Sequence, residues 1–209
     1  MLQLNAEQLE LLETDTQKFQ EYFIEDRACY KSISLNAIKT NNERLQLLVQ
    51  QLIIGRPVEP ILQNYPKLAN WIEQLRIFTE LPFSKKLLNV VYKLPTYNIF
   101  VSAHYNLLLA EKAKAVAVIW SISNYIPPFE ILRNSWRTQL SLFILSEIEQ
   151  VLPGNVYITY FFLSTQGSPT VYQVYYSQEQ HNNFKKRLEK TLNKLANWIS
   201  TEQLQLNRA

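Results

Sequence analysis

Apolar positions along the first third of the chain recur in steps of three and four, then change to a period of two. After Asn5, the residues Leu9, Leu12, Phe19, Phe23 and Ile24 fall mostly on one face of a helix, predicted to run to about Ala28. Asn5-Ala-Glu-Gln8 has the form of a capping box at its start. A second helix is predicted over Asn41–Ile54 and stops at Gly55-Arg-Pro57, where glycine can take a left-handed cap and proline cannot continue. A third follows Pro66, with Leu68, Trp71, Ile72, Leu75 and Phe78 spaced to bury one side.

From residue 87 the pattern is that of strands. Leu87–Leu94, Tyr97–Ala110, Ala115–Ile122, Val156–Leu163 and Val171–Tyr176 are rich in β-branched and aromatic residues at strand length. Glu111-Lys-Ala-Lys114 reads as a turn, Asn124–Pro128 as a break, and Gln166-Gly-Ser-Pro169 as a second hairpin turn. One helix is predicted over 130–150. A last one opens at the capping pattern Ser177-Gln-Glu-Gln180 and buries Phe184, Leu188, Leu192, Leu195 and Ile199. The expected organisation is a single domain over 1–209: a helical layer at 1–80, a sheet core at 81–176 that contains helix 130–150, and a C-terminal helix at 177–209. The class is α/β (α+β).

Composition narrows the chemistry. The chain has 209 residues, 47% of them apolar, and a net charge of +3, which permits contact with nucleic acid without arguing for it. One cysteine, Cys29, leaves no disulfide framework, multi-cysteine zinc site or four-cysteine cluster. The three glycines Gly55, Gly154 and Gly167 form no phosphate-cradling loop, which excludes Walker-type and dinucleotide enzymes. Glu7, Glu10 and Glu13 near the start argue against a secretory signal, and no apolar run spans a bilayer. A cytoplasmic protein with no membrane partner is the expectation.

Three segments carry a resemblance: Val101-Ser-Ala-His-Tyr-Asn-Leu-Leu-Leu109, Ala115-Val-Ala-Val-Ile-Trp-Ser-Ile122 and Asn134-Ser-Trp-Arg-Thr-Gln-Leu-Ser141. Together they resemble the RecB-type branch of the PD-(D/E)XK nuclease superfamily, in particular its small stand-alone cyanobacterial members. Relatives read Gly-x-Tyr/Ile-Asp, Asp-Trp-Lys-Thr and Gln-x-x-x-Tyr there. Here the key positions hold Asn106, Ile119, Ser121, Arg137 and Ser141. Further upstream, Asn42-Glu-Arg-Leu-Gln46, Gln50-Gln51 and Gly55-Arg-Pro57 follow the family spacing, with Gln46 at the histidine position. The resemblance implies a restriction-endonuclease-like αβββαβ core: a mixed central sheet flanked by helices, with an N-terminal helical layer.

In an active relative, carboxylates and a histidine hold a divalent metal that activates water, and a lysine two residues past the second carboxylate neutralises developing charge. Every replacement here is poor for its role: Asn106 is neutral, Ile119 ligates nothing, Ser121 carries no charge, and Gln46 lacks the imidazole. No catalytic residue, metal or cofactor is therefore expected. His104 reads as a hydrogen-bonded strand residue, His181 as solvent-facing, and Glu21, Glu25 and Asp26 as a solvated acidic turn. The aromatics of Tyr157–Phe162 read as core or sheet surface.

The basic residues Lys112, Lys114, Arg133 and Arg137 are the positions expected to contact phosphates, with Arg133 and Arg137 one helical turn apart. Lys185, Lys186, Arg187, Lys190 and Lys194 read as a solvated amphipathic face. Three functions compete: a pseudo-nuclease that holds DNA or RNA or a protein acting on them, a protein-interaction subunit with no nucleic-acid role, and an active nuclease with a relocated metal site.

Overall fold

The computed structural model describes residues 2–21, 41–96, 99–122, 125–164 and 167–206. The Cys29 position and the acidic residues Glu25 and Asp26 lie outside them.

A short strand, β1 (Leu2–Leu4), leads into helix α1 (Ala6–Thr14). The capping box is present: Gln8 N donates to Asn5 Oδ1 at 3.0 Å and Asn5 N to Gln8 Oε1 at 2.9 Å. The single long first helix is not. Asp15 leaves helical geometry and its carboxylate accepts from Lys18 N at 3.0 Å, so helix resumes over 16–21 on a new cap. An aspartate with a free backbone N–H three residues on favours a cap over continuation.

The next helices are α2 (Asn41–Ile53), the four-residue α3 (Glu59–Leu62) and α4 (Pro66–Glu80). Gly55, at φ +73°, ends the α2 segment in the left-handed region that glycine enters without strain. Leu68, Trp71, Ile72, Leu75 and Phe78 are all buried, as their spacing predicts. β1 and α3 went unpredicted because three- and four-residue elements carry no periodicity.

The strands are β2 (Lys85–Thr96), β3 (Ile99–Glu111), β4 (Lys114–Ser121), β5 (Val156–Phe162) and β6 (Thr170–Tyr175). β2, β3 and β4 form an antiparallel meander, β5 joins β4 in parallel, and β6 returns antiparallel. β1 pairs in parallel with Ile99–Val101 of β3. The result is a six-stranded mixed sheet with helices on both faces, and its β2–β6 portion has the αβββαβ order expected of a restriction-endonuclease-like core.

Between β4 and β5 the chain forms two helices where one was predicted: α5 (Phe129–Asn134) and α6 (Trp136–Glu149). Ser135 is extended, at φ −63° and ψ 148°. Its Oγ accepts from Thr138 N at 3.2 Å and donates to Leu132 O at 2.8 Å, which closes one helix and caps the other. Helix α7 (Gln178–Leu206) starts on the Ser177–Gln180 capping box and buries Phe184, Leu188, Leu192 and Leu195.

Two apolar clusters flank the sheet. The larger unites α1, α6 and α7 with Val101, Ala103, Tyr105, Leu108, Ala117 and Ile119. The smaller unites α2 and α4 with Leu107, Leu109, Val116, Val118 and Trp120. Strict alternation holds along β4. Along β3 it changes phase at Asn106, because Tyr105 and Leu108 share one cluster while Leu107 joins the other.

Candidate functional site

The change of phase at Asn106 coincides with the end of the β3–β4 ladder, whose last pair toward this end is Leu107–Val118. Beyond it the Asn106 side chain takes over: its Oδ1 accepts from Trp120 N at 3.1 Å, in place of a main-chain partner. Its Nδ2 donates to Gln46 Oε1 at 3.3 Å, and Gln46 Nε2 donates to Asn106 O at 2.9 Å. This amide pair ties α2 to the open end of the hairpin.

A cavity of about 740 Å³ opens there. Asn42, Gln46 and Gln50 reach it from α2, at intervals of four that put them on one helix face. Leu45, Leu48 and Val49 turn the other way into the smaller core. β3 contributes His104 and Asn106, β4 contributes Trp120, and α6, from the opposite helical layer, contributes Arg137. His104 and Arg137 also line a second cavity of about 230 Å³, together with Glu7 and Ser141. The two lobes share this pair, so they form one cleft from α2 to the start of α1.

Arg137 is exposed, and no carboxylate of the described residues forms an ion pair with it. Its charge acts on its neighbours. The His104 imidazole is held below its ordinary pKa, first by desolvation and then by the Arg137 guanidinium. Tyr160, behind the cleft, is pushed up by burial, against the opposing effects of its hydrogen bond with Thr138 and of Arg137.

The structure treats the expected site residues unequally. Gln46, Asn106 and Arg137 come together at the cleft. Ser141 is buried on α6 and lines the smaller lobe, and its carbonyl accepts from Tyr105 Oη at 2.7 Å. Ile119, 6% exposed, belongs to the larger core, opposite Tyr160 on the neighbouring strand, and does not line the cleft. Ser121 lines neither lobe and its carbonyl accepts from Leu163 N.

The expected pairing of Arg133 with Arg137 on one helix is overturned by the cap at Ser135. Arg133 lies on α5 and faces Glu130 at 3.8 Å. Lys112 and Lys114 sit at the far end of the hairpin, roughly 20 Å along β3 from Asn106, and Lys114 Nζ lies 5.2 Å from the Tyr157 ring centre. The four basic positions therefore do not form one groove.

Other readings change as well. His181 is buried, at 7% exposed, between Phe143 and Tyr176, with its Nε2 3.2 Å from Glu147 Oε1. Its place at a helix start predicts a solvent-facing side chain, but the ring packs back onto Phe143 of α6. Two cations of the last helix are bound internally. Arg187 Nε donates to Glu13 Oε1 at 2.8 Å, and Lys194 Nζ donates to Glu13 O at 2.8 Å. Trp120, Asn42 and Glu43 were missed as site residues, although the Asn42–Gln46–Gln50 polar stripe on an otherwise amphipathic helix was a legible signal.

A magnesium centre of the kind the resemblance implies does not fit this donor set. Asn106 Oδ1 and Gln46 Oε1 already accept hydrogen bonds, and Ile119 offers no donor atom and is turned away. Among the described residues no three His, Cys, Asp or Glu side chains converge to hold a metal ion. No helix of the described residues is long and apolar enough to cross a membrane.

No family model and no curated protein matches the chain. Among solved structures, a candidate exonuclease from Eubacterium rectale aligns over 92% of this chain and 79% of its own, at 7% identity and a TM-score of 0.49. The protein SSO0001 aligns over 88% and 84%, at 13% identity and a TM-score of 0.34. Likenesses this distant assign neither an activity nor a ligand.

Proposed function

We propose that this chain is a catalytically silent relative of RecB-type PD-(D/E)XK nucleases, whose cleft engages phosphate groups of DNA or RNA without cutting them. The observation that carries this reading is Arg137, a cation with no ion-pair partner among the described residues, set where the cleft's two lobes meet. The nuclease-like order of elements supplies the cleft. The amide pair Gln46–Asn106 stands where cleavage chemistry needs a metal. A guanidinium with free donors binds phosphate by charge and by paired hydrogen bonds, and needs no metal to do so.

A second reading has its own support. Tyr125, Ile131 and Leu152 are large apolar side chains left mostly exposed, the residue type that protein-binding surfaces use. In that reading the chain is an interaction subunit with no nucleic-acid role.

Fluorescence anisotropy with labelled single- and double-stranded DNA, titrated at several salt concentrations, separates the two. The proposal expects weak, sequence-independent binding that salt reduces. Arg137→Ala should weaken it, while Arg133→Ala, on a residue already facing Glu130, should leave it nearly unchanged. No cleavage should appear with magnesium or manganese. Absence of binding even at low salt favours the interaction subunit, and metal-dependent cutting that survives repurification defeats both readings.

A further inference from the structure

The charges along the cleft alternate. Glu43 lines the larger lobe and Glu7 the smaller, while Arg137 and His104 stand in the wall common to both. A polynucleotide threading both lobes would carry its phosphates past a carboxylate on each side of the single guanidinium. Repulsion at two positions opposes attraction at one, so a continuous phosphate track is disfavoured. A single phosphate placed at the junction meets the guanidinium that lines both lobes without having to run the length of either.

The larger lobe is suited to what such a phosphate would carry. About 740 Å³ lies within the usual size range of small-molecule pockets. Its walls combine Leu47 and Leu88 with the amides of Asn42 and Gln50. Trp120, in the same wall, is 5% exposed and adds an aromatic side chain that belongs to the smaller core.

We infer that the Arg137–His104 junction is a site for one terminal phosphate group, a phosphomonoester, with the attached nucleoside-sized group in the lobe that Trp120 lines. The inference rests on the proposal that this cleft engages phosphate, and it restricts that proposal to the end of a strand or a free mononucleotide. A phosphomonoester brings up to two negative charges to a single point, which suits one guanidinium better than a diester track does. Binding there also offsets the Arg137 charge that His104 feels, so occupancy favours the protonated imidazole.

The test uses the full chain, whose two histidines give separate imidazole signals in NMR, with His181 as internal control. The probes are inorganic phosphate, adenosine monophosphate, and one short single strand prepared with and without a 5′-phosphate. The inference expects phosphate and the nucleotide to move the His104 signals and raise its titration midpoint, with those of His181 unmoved. It expects the 5′-phosphorylated strand to bind about tenfold more tightly than its unphosphorylated twin. Arg137→Ala should abolish that preference, and Arg137→Lys should retain part of it, since lysine keeps the charge and loses the fork.

Response to the free nucleotide alone assigns the site to a mononucleotide, and response to both assigns it to the phosphate wherever it is carried. Equal binding of the two strands, with His104 unmoved by phosphate, overturns the inference and leaves the broader proposal standing. If neither strand nor phosphate binds at low salt, both fall.

Discussion

Two regions of the molecule handle charge in opposite ways. On the side of α1, α6 and α7, Glu13 gathers a bidentate arginine, Arg187, the indole N–H of Trp136 at 2.8 Å and the ammonium of Lys194. Arg187 also lies 4.4 Å from the Trp136 ring centre, and one carboxylate thus joins three helices. At the open end of the hairpin the polar groups are amides bonded to one another, and Arg137 has no ion pair among the described residues. The lesson is that a crowd of basic residues in a sequence is a poor guide to a binding face. Two cations of the crowded last helix are structural, while the single arginine on α6 lines the cleft with no ion pair among the described residues.

The largest expected effect tests whether Ile119 belongs to the core. Ile119→Asp should destabilise by about 2–4 kcal/mol, since it buries a carboxylate among apolar side chains. It should confer no magnesium-dependent cutting. Denaturant unfolding measures the first and a nicking assay the second. An unchanged melting temperature would show the position open to solvent and the cleft wider than described.

Next comes the joint at Glu13. Glu13→Ala removes the carboxylate that Arg187 and Trp136 share and should cost about 2–3 kcal/mol. The Glu13 carboxyl is held below its ordinary range, chiefly by the Arg187 hydrogen bonds, with burial opposing and Trp136 adding to the lowering. A depressed acid stabilises the fold above its unfolded pKa, and that contribution is lost as pH falls through the folded value. Wild type should therefore lose stability in the acid range more steeply than Glu13→Ala. Parallel pH–stability curves would show that the joint carries no net stabilisation.

A smaller effect concerns His181. Desolvation lowers its pKa, Glu147 opposes that and Lys185 adds to it. A base whose folded pKa is depressed favours the fold while neutral, so stability should begin to fall as pH drops below about 6.5, the unfolded value. Tyr176, which also faces the ring, is pushed up by burial and stays neutral in that window. His181→Phe, which keeps the contacts with Phe143 and Tyr176, should flatten that part of the pH–stability curve. An unaltered slope would mean the ring rehydrates at no cost.

The smallest effect is the sharpest for the comparison. Arg137→Ala should change stability by less than about 0.5 kcal/mol, because the side chain is exposed and forms no ion pair among the described residues. A loss comparable to that of Glu13→Ala would show that Arg137 is also a structural cation, and the two regions would no longer differ.

The sequence by itself determined most of the elements and the sheet's class. The spacing of Leu68, Trp71, Ile72, Leu75 and Phe78 sufficed for a helix, and the alternation of Val116, Val118 and Trp120 against Ala117 and Ile119 sufficed for a strand with two covered faces. These patterns are local, and each side chain's fate follows from its neighbours in the chain. That Asn106 and Ile119 offer no carboxylate was legible too, because it depends on residue type.

Tertiary structure decided the rest. Ser135 was free to continue a helix or cap one, and packing of α6 against the sheet settled which, separating Arg133 from Arg137. Glu13 meets Arg187 across 174 positions, a distance at which no pattern in the chain carries information. The cleft exists because β3 and β4 part at Asn106, where a side-chain amide replaces a ladder bond. Which charges then stay unpaired is fixed by three-dimensional neighbours alone.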